Sequence, residues 1–237
     1  MSARLICAVS IAMLLIGIGC EPRNRKAASA GGKAADTATR EVEHGNGDRD
    51  KTPKGTRYRI NPEKSRLTAQ VSVGGLLKGL GHPHVIAIRR FQGEVQTSSG
   101  MLESASIQLK FATGSVAEMG KEFSDKDRQK VGQEVREEAL ESSKYPEAQF
   151  KSRSVTVKPA GEHRYEASIR GDLSLHGVTH PVSFPAKVQV QGSSLHASGG
   201  FTILHSTYGI KRLSAGGGTV KAKDEINLSF DIQADQD

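Results

Sequence analysis

IRGDLSLHGVTHPVSFP, residues 169–185, is the stretch of sequence from which the fold can be inferred. From Ile169 to Leu175, every second residue is apolar or glycine, and the residues between them are polar. This two-residue period is typical of a strand with one buried face. Gly177 interrupts the pattern, and alternation resumes from Val182 to Val190. Two alternating runs joined by a short connection that contains glycine predict a β-hairpin.

Alternation of the same kind recurs along the chain, most clearly in residues 67–73, 107–111, 195–203 and 226–232. In residues 84–96 the apolar positions change parity between Ile88 and Phe91, which predicts a bulge near Arg90. About eight antiparallel strands, each with one apolar face, are typical of a closed barrel or of a β-sandwich. The alternation alone does not decide between these two architectures.

Residues 124–140, SDKDRQKVGQEVREEAL, do not follow the strand pattern. Ser124 is a suitable helix-capping residue, and Asp125 and Asp127 would lie in the first turn. Val131, Val135 and Ala139 then recur at four-residue spacing, which gives a narrow apolar stripe on an otherwise charged segment. These features predict one inserted surface helix that lays its stripe on the sheet.

The hairpin stretch also carries a resemblance to a known family. GDLSLHGVTHPV, residues 171–182, resembles the GDLTLHGVTKPV signature of the YceI-like family of periplasmic polyisoprenoid- and lipid-binding proteins. YRINPEKSRL at 58–67, KYPEAQFKS at 144–152 and TYGI at 207–210 resemble other stretches of that family in the same order. The resemblance implies an all-β fold: a lipocalin-like extended antiparallel β-barrel of about eight strands whose interior holds a long isoprenoid chain.

If the interior holds such a chain, the inward faces of the strands form its binding site. The residues that we assign to this site are Ile86, Ile88, Phe111, Leu173, Leu175, Phe184, Ala186, Ala197, Phe201 and Phe230. Small residues among the larger ones would leave room for a ligand, namely Ala69, Gly171, Ala186 and Ala197. The same residues are equally consistent with a solid core.

Several histidines accompany these apolar faces. His82 and His84 share one face of the chain if GHPHV is extended, while His176 and His180 flank the predicted turn and His205 ends a late strand. We predict that His82, His84, His176 and Tyr208 contact the ligand head group or lie at the barrel mouth. Imidazole suits several transition metals, but this spacing is no recognised ligand pattern, so no metal is predicted.

Motifs of other function classes are absent from the sequence. It contains no G-x-S-x-G elbow, no H-E-x-x-H and no complete phosphate loop, so we predict no enzymatic activity. The net charge of +7 is not gathered into a basic block with interleaved aromatic residues, which argues against nucleic acid as a partner. No cofactor is predicted other than a bound isoprenoid lipid or quinone.

The N-terminus has the features of a targeting segment. Arg4 precedes an apolar run at 5–18, and Gly19 then precedes Cys20. Residues 1–19 therefore predict a lipoprotein-type signal peptide, with Cys20 acylated and anchoring the protein to a membrane. The alternative is an ordinary cleaved signal peptide with an incidental cysteine. Residues 20–55 have almost no large apolar side chains and predict a disordered linker, which leaves 56–237 for the barrel domain.

Three functional hypotheses remain open at this point. In the first, the chain is an exported, periplasmic lipid-binding protein that transports, stores or shields a polyisoprenoid or another long-chain amphiphile at the cell envelope. In the second, it is a metal- or redox-linked periplasmic accessory protein that uses the histidine cluster. In the third, it is a structural envelope barrel without a ligand.

Overall fold

The computed structural model describes residues 55–75, 82–98 and 101–237. The predicted signal peptide, Cys20 and all but the last residue of the predicted linker lie outside the described residues. Within them, no helix is long and apolar enough to span a membrane.

The described residues form one antiparallel sheet of twelve strands. The strands are β1 (Thr56–Ile60), β2 (Arg66–Gly74), β3 (His84–Ile88), β4 (Phe91–Ser98), β5 (Met101–Ala112), β6 (Val116–Glu118), β7 (Glu147–Gly161), β8 (Arg164–Leu175), β9 (Val178–Gln191), β10 (Ser194–Leu204), β11 (Ser214–Ala215) and β12 (Val220–Gln236).

The sheet closes into an eight-walled barrel because three of its walls consist of two consecutive strands each. Tyr58 in β1 pairs with Gln236 of β12, and Leu67 in β2 pairs with Phe230 of the same strand, so β1 and β2 form one wall. In the same way β3 with β4, and β5 with β6, form the next two walls. Strands β7, β8, β9, β10 and β12 complete the ring. The predicted barrel of about eight antiparallel strands is confirmed.

The break between β3 and β4 lies at Arg89 and Arg90, where the sequence predicts a bulge. The backbone amides of these two arginines donate to Ser115, one to its carbonyl oxygen at 3.3 Å and the other to its hydroxyl at 3.0 Å. Ile86 and Phe91 are both buried although their parities differ. The interruption therefore returns the apolar side chains to the inside of the barrel after the parity change.

The central hairpin forms as predicted, with β8 and β9 joined by a two-residue turn. Leu175 pairs with Val178, and the turn residues His176 and Gly177 both have positive φ angles, 54° and 76°. Two consecutive positive φ angles define a type I′ turn, whose twist matches that of the strands on either side.

The predicted helix also forms, as α1 (Asp125–Glu134) followed by a turn of π-helix at Val135–Ala139. The Ser124 hydroxyl caps α1 by accepting the backbone N–H of Asp127 at 3.2 Å. Gly132 is the buried residue of α1, and a Cβ atom added there would lie 3.7 Å from the backbone nitrogen of Glu118, an ordinary van der Waals contact. At this position α1 packs directly on the backbone of β6.

Two glycines of the inner wall lie beneath phenyl rings. A Cβ atom added at Gly171 would lie 2.6 Å from the ring of Phe150, and one added at Gly199 would lie 2.7 Å from the ring of Phe230. We predicted that Gly171 leaves room for a ligand, but the ring of Phe150 occupies that space. Such a pairing of glycine with a cross-strand aromatic side chain holds the ring against the wall.

We expect Gly171→Ala to lower the free energy of unfolding by about 1–3 kcal/mol, because the added methyl group overpacks the wall against Phe150 and the backbone of Lys151. Urea denaturation measures the change. Gly74→Ala is the matched control, since a Cβ atom there meets its nearest neighbour at an ordinary 3.6 Å. Equal stability of the two variants would contradict this account of the wall.

Candidate ligand-binding cavity

The barrel encloses a cavity of about 870 Å³, which lies within the range of about 300–1,000 Å³ usual for small-molecule sites. Its lining is mainly aliphatic and aromatic. At one end the lining includes Val95 and Leu195, near the ends of β4 and β10 that lie away from α1. At the other end it includes Val135, Leu213 and Val220, from α1's continuation and from the β11–β12 hairpin. The apolar stripe of the helix therefore faces the cavity, and we call this end the mouth.

All but one of the ten apolar residues assigned from the sequence line this cavity. They are Ile86, Ile88, Phe111, Leu173, Leu175, Phe184, Ala197, Phe201 and Phe230. Ala186 is buried, with 4% of its surface exposed, but it borders a separate crevice in the barrel wall next to Ala167 and Gly199. Ala186 pairs with Gly199, and the ring of Phe230 lies over that glycine. Ala186 is therefore part of the packed wall and does not line the cavity.

Four phenyl rings form an aromatic cluster in the cavity wall. The rings of Phe184 and Phe201 stack with their centroids 4.4 Å apart and their planes 9° from parallel. Phe150 and Phe230 lie 5.5 and 5.7 Å from Phe184 in inclined orientations. In the part of the chain that is described, β9 and β10 pair only from Ala186 to Gln191, so the Phe184–Phe201 stack joins the two strands where their backbones separate. Aromatic pairs in such stacked or inclined geometries stabilise a fold by more than the burial of their apolar surface alone contributes.

The cavity lining near the mouth includes a histidine that is held by a buried carboxylate. Nδ1 of His84 lies 2.9 Å from Oε2 of Glu118, and the His84 ring stacks on Phe123 at a centroid distance of 5.0 Å. Glu118 is 4% exposed and accepts backbone N–H groups from Val85, Met119 and Gly120 at 3.1, 3.0 and 2.7 Å. Burial by itself raises the pKa of Glu118, but the hydrogen bonds from His84 and the backbone amides outweigh it and leave the pKa below its usual value.

Sequence reasoning missed Glu118 and Phe123. One signal for Glu118 was available, because it shares the parity of the apolar Val116 in a short strand and so falls on the buried face. Phe123 lies in the segment between β6 and α1, where no periodicity marks it.

The other three residues predicted for the head group or the mouth do not line the cavity. His82 is exposed, and its ring meets the edge of Phe123 at a centroid distance of 6.0 Å. His176 is buried at the hairpin turn, outside the cavity lining; its Nε2 lies 2.8 Å from Glu141 and its Nδ1 donates to the carbonyl oxygen of Tyr208 at 3.1 Å. These contacts tie the hairpin turn to the two neighbouring loops.

Tyr208 itself is 1% exposed and closes the opening between β9 and β10, with its ring 5.4 Å from that of His180. Burial raises the pKa of its phenol, and its hydroxyl has no hydrogen-bond partner among the described residues. Tyr208 therefore seals the wall of the barrel and does not face the cavity.

His205 is the second histidine in the cavity lining. It is buried, and its Nδ1 donates to the backbone carbonyl oxygen of Asp224 at 2.8 Å. Burial lowers the pKa of His205. The histidines are dispersed over the barrel, and across residues 55–75, 82–98 and 101–237 no three His, Cys, Asp or Glu side chains come together as a metal site.

Residues 58–234 match the family model of the YceI-like domain. The chain belongs to the YceI-like family. A UPF0312 protein of Pseudomonas putida strain W619 is 35% identical over 106 residues, which cover 43% of this chain and 47% of the relative. A UPF0312 protein of Pseudomonas savastanoi pv. phaseolicola is 31% identical over 139 residues, which cover 54% of this chain and 62% of the relative. The aligned part of the chain thus spans about half to three fifths of the length of these relatives.

Solved structures share the YceI-like fold at low sequence identity. BcnA of Burkholderia cenocepacia is 21% identical with a TM-score of 0.55, over 73% of this chain and 98% of that chain. A polyisoprenoid binding domain from Saccharophagus degradans, implicated in plant cell wall breakdown, is 12% identical with a TM-score of 0.54. The match covers 76% of this chain and 98% of that chain. At these identities the comparisons support the barrel architecture.

We expect Glu118→Gln to lower the free energy of unfolding by about 1–3 kcal/mol near neutral pH, because a buried network loses its charged acceptor and one of its two acceptor oxygens. A carboxyl group whose pKa is lowered by folding stabilises the fold above its unfolded pKa, and this contribution disappears as the pH falls through the folded pKa. The difference from wild type should therefore narrow in acid.

Urea denaturation at several pH values measures this difference. Glu147→Gln is the control, because Glu147 forms an exposed pair with Lys110 at 3.0 Å and should change stability by less than about 1 kcal/mol. A Glu118→Gln effect that is constant with pH would contradict the role of the ionised carboxylate.

Proposed function

We propose that this YceI-like barrel binds a polyisoprenoid, or another long-chain apolar lipid, inside its cavity and transports, stores or shields it at the cell envelope. The observation that carries the proposal is the largely apolar cavity of about 870 Å³ within the eight-walled barrel. An eight-stranded barrel is just wide enough to hold one small ligand along its axis. Transfer of an apolar chain from water into this lining is favoured by about 25 cal/mol per Å² of buried apolar surface.

Two further observations support a lipid as the ligand. Phe201 and Phe230 both line the cavity, and both remain partly accessible although each packs against Phe184. A structural neighbour from Saccharophagus degradans is described as a polyisoprenoid binding domain. The same architecture with an apolar cavity favours the same class of ligand for this chain.

The polar groups of the cavity support binding over catalysis. His84 is engaged with Glu118, and His205 with the carbonyl oxygen of Asp224. Within the described part of the chain, neither imidazole has a serine or cysteine nucleophile as a hydrogen-bond partner, as a nucleophile–base pair requires. We therefore propose a binding protein without enzymatic activity.

Ala197 and Ala186 allow a matched test of the ligand site. Ala197→Phe should narrow the cavity and weaken retention of a prenyl lipid, with a small change in the stability of the ligand-free protein. Ala186→Phe should overpack the wall and cost about 1–3 kcal/mol of unfolding free energy. Native mass spectrometry of protein from its own host, and urea denaturation of the delipidated protein, measure the two effects. If the wild-type protein from its own host retains no lipid, the lipid-binding proposal fails and the hypothesis of a structural barrel without a ligand replaces it.

We further propose that the protein is exported and anchored to a membrane through acylated Cys20, on the basis of the signal-like pattern at residues 1–20. Cys20→Ala should then move the protein from the membrane pellet to the soluble fraction after cell fractionation. Cys7→Ala is the control and should pellet like wild type, because Cys7 would be removed with the signal peptide. Pelleting of the Cys20→Ala variant would refute the anchor.

A further inference from the structure

The His84–Glu118 pair has the construction of a recognition group. Glu118 accepts three backbone N–H bonds in addition to the bond from His84, so its carboxylate is held in one position. Since an ionised carboxylate only accepts hydrogen bonds, the Nδ1 atom of His84 carries the hydrogen that it donates. Nε2 is then the ring atom that remains for another partner, and the described residues do not supply one.

The position of His84 makes that ring atom available to a ligand. The imidazole lies in the lining of the cavity, and 26% of the side chain is exposed. Stacking on Phe123 holds the plane of the ring, and the hydrogen bond to Glu118 fixes its rotation within that plane. A polar group that is oriented in advance in this way binds with little further loss of conformational freedom.

The charges around the mouth indicate which end group would be accepted. The two lysines in the lining are each paired: Lys130 lies 3.8 Å from Glu134, and Lys211 lies 2.7 Å from Glu138. Asp127 also lines the mouth, and the Glu118 carboxylate lies directly behind the imidazole. A phosphate would therefore lie among carboxylates, and the two exposed lysines, which already pair with glutamates, would offset this repulsion only weakly. An uncharged oxygen needs only one hydrogen-bond partner.

We propose that His84, held by Glu118 and Phe123, hydrogen-bonds an uncharged oxygen-bearing end group of the lipid, such as the hydroxyl of a prenyl alcohol or the carbonyl of a quinone. This inference rests on the proposed lipid-binding function. The neutral imidazole accepts a hydrogen bond from a hydroxyl at Nε2, and the protonated imidazole donates one to a carbonyl. The apolar chain then occupies the cavity with its polar end towards the mouth.

The test compares ligands that differ only in the end group. Geranylgeraniol, the corresponding hydrocarbon and geranylgeranyl diphosphate each compete with a fluorescent prenyl probe for the full chain, which has no tryptophan to interfere. Wild type should bind the alcohol more tightly than the hydrocarbon or the diphosphate. In His84→Phe the alcohol should bind about three- to tenfold more weakly, the loss expected for one hydrogen bond, while the hydrocarbon binds unchanged. A short-chain quinone, used as a further competitor, shows whether a carbonyl serves as well as a hydroxyl.

His196→Phe is the matched control, because His196 also forms an imidazole–carboxylate pair, with Asp231 at 2.8 Å, but the pair is exposed and outside the cavity lining. It should leave all affinities unchanged. His84→Gln is the second variant, since its amide can still donate to Glu118 and contact the ligand. It should retain part of the preference for the alcohol, and it keeps the test decisive if His84→Phe does not fold.

The outcomes separate this inference from the function on which it rests. Equal weakening of alcohol and hydrocarbon in His84→Phe, no weakening at all, or tighter binding of the diphosphate by wild type would overturn the His84 assignment and leave lipid binding intact. If wild type binds none of the prenyl compounds, the proposed function itself fails.

Discussion

The rest of the structure depends on the backbone pairing of β12. This strand, Val220–Gln236, pairs with β10 along one edge and with both β2 and β1 along the other. Among the described residues the ring of strands is thereby closed, although β9 and β10 pair only between Ala186 and Gln191 of β9. Closure at eight walls also sets the width of the interior, so the inward side chains decide whether that interior is solid or hollow.

The interior stays hollow because the largest side chains lie against the wall. Phe150 and Phe230 cover Gly171 and Gly199, and Phe184 stacks on Phe201 where β9 and β10 separate. Rings that pack on glycine and on each other extend along the wall and leave the axis free. The same glycines that weaken a strand locally therefore have a packing role here, and a β-branched residue at either position would push a ring from the wall.

The elements that sequence alone predicted are those set by neighbours along the chain. Alternation placed every described strand except β1, β6, β7 and β11. The parity change located the break at Arg89 and Arg90, and the Ser124 cap with its four-residue stripe placed the helix. Contacts between distant residues were not accessible in this way. Glu118 lies 34 positions from His84, and periodicity cannot show that a strand register brings them together. For the same reason alternation did not distinguish Ala197, in the cavity lining, from Ala186, in the packed wall.

Three imidazole–carboxylate pairs show why location, not residue type, decides what a histidine can do. His84–Glu118, His176–Glu141 and His196–Asp231 have nearly equal separations of 2.9, 2.8 and 2.8 Å. The second ring nitrogen of His176 is used by the carbonyl oxygen of Tyr208, so that pair fastens a turn. The pair of His196 lies on the outer wall in contact with solvent, where an ion pair contributes little. Only the first combines a buried carboxylate with an imidazole in the cavity lining, and that combination is what makes it suitable for recognising a ligand.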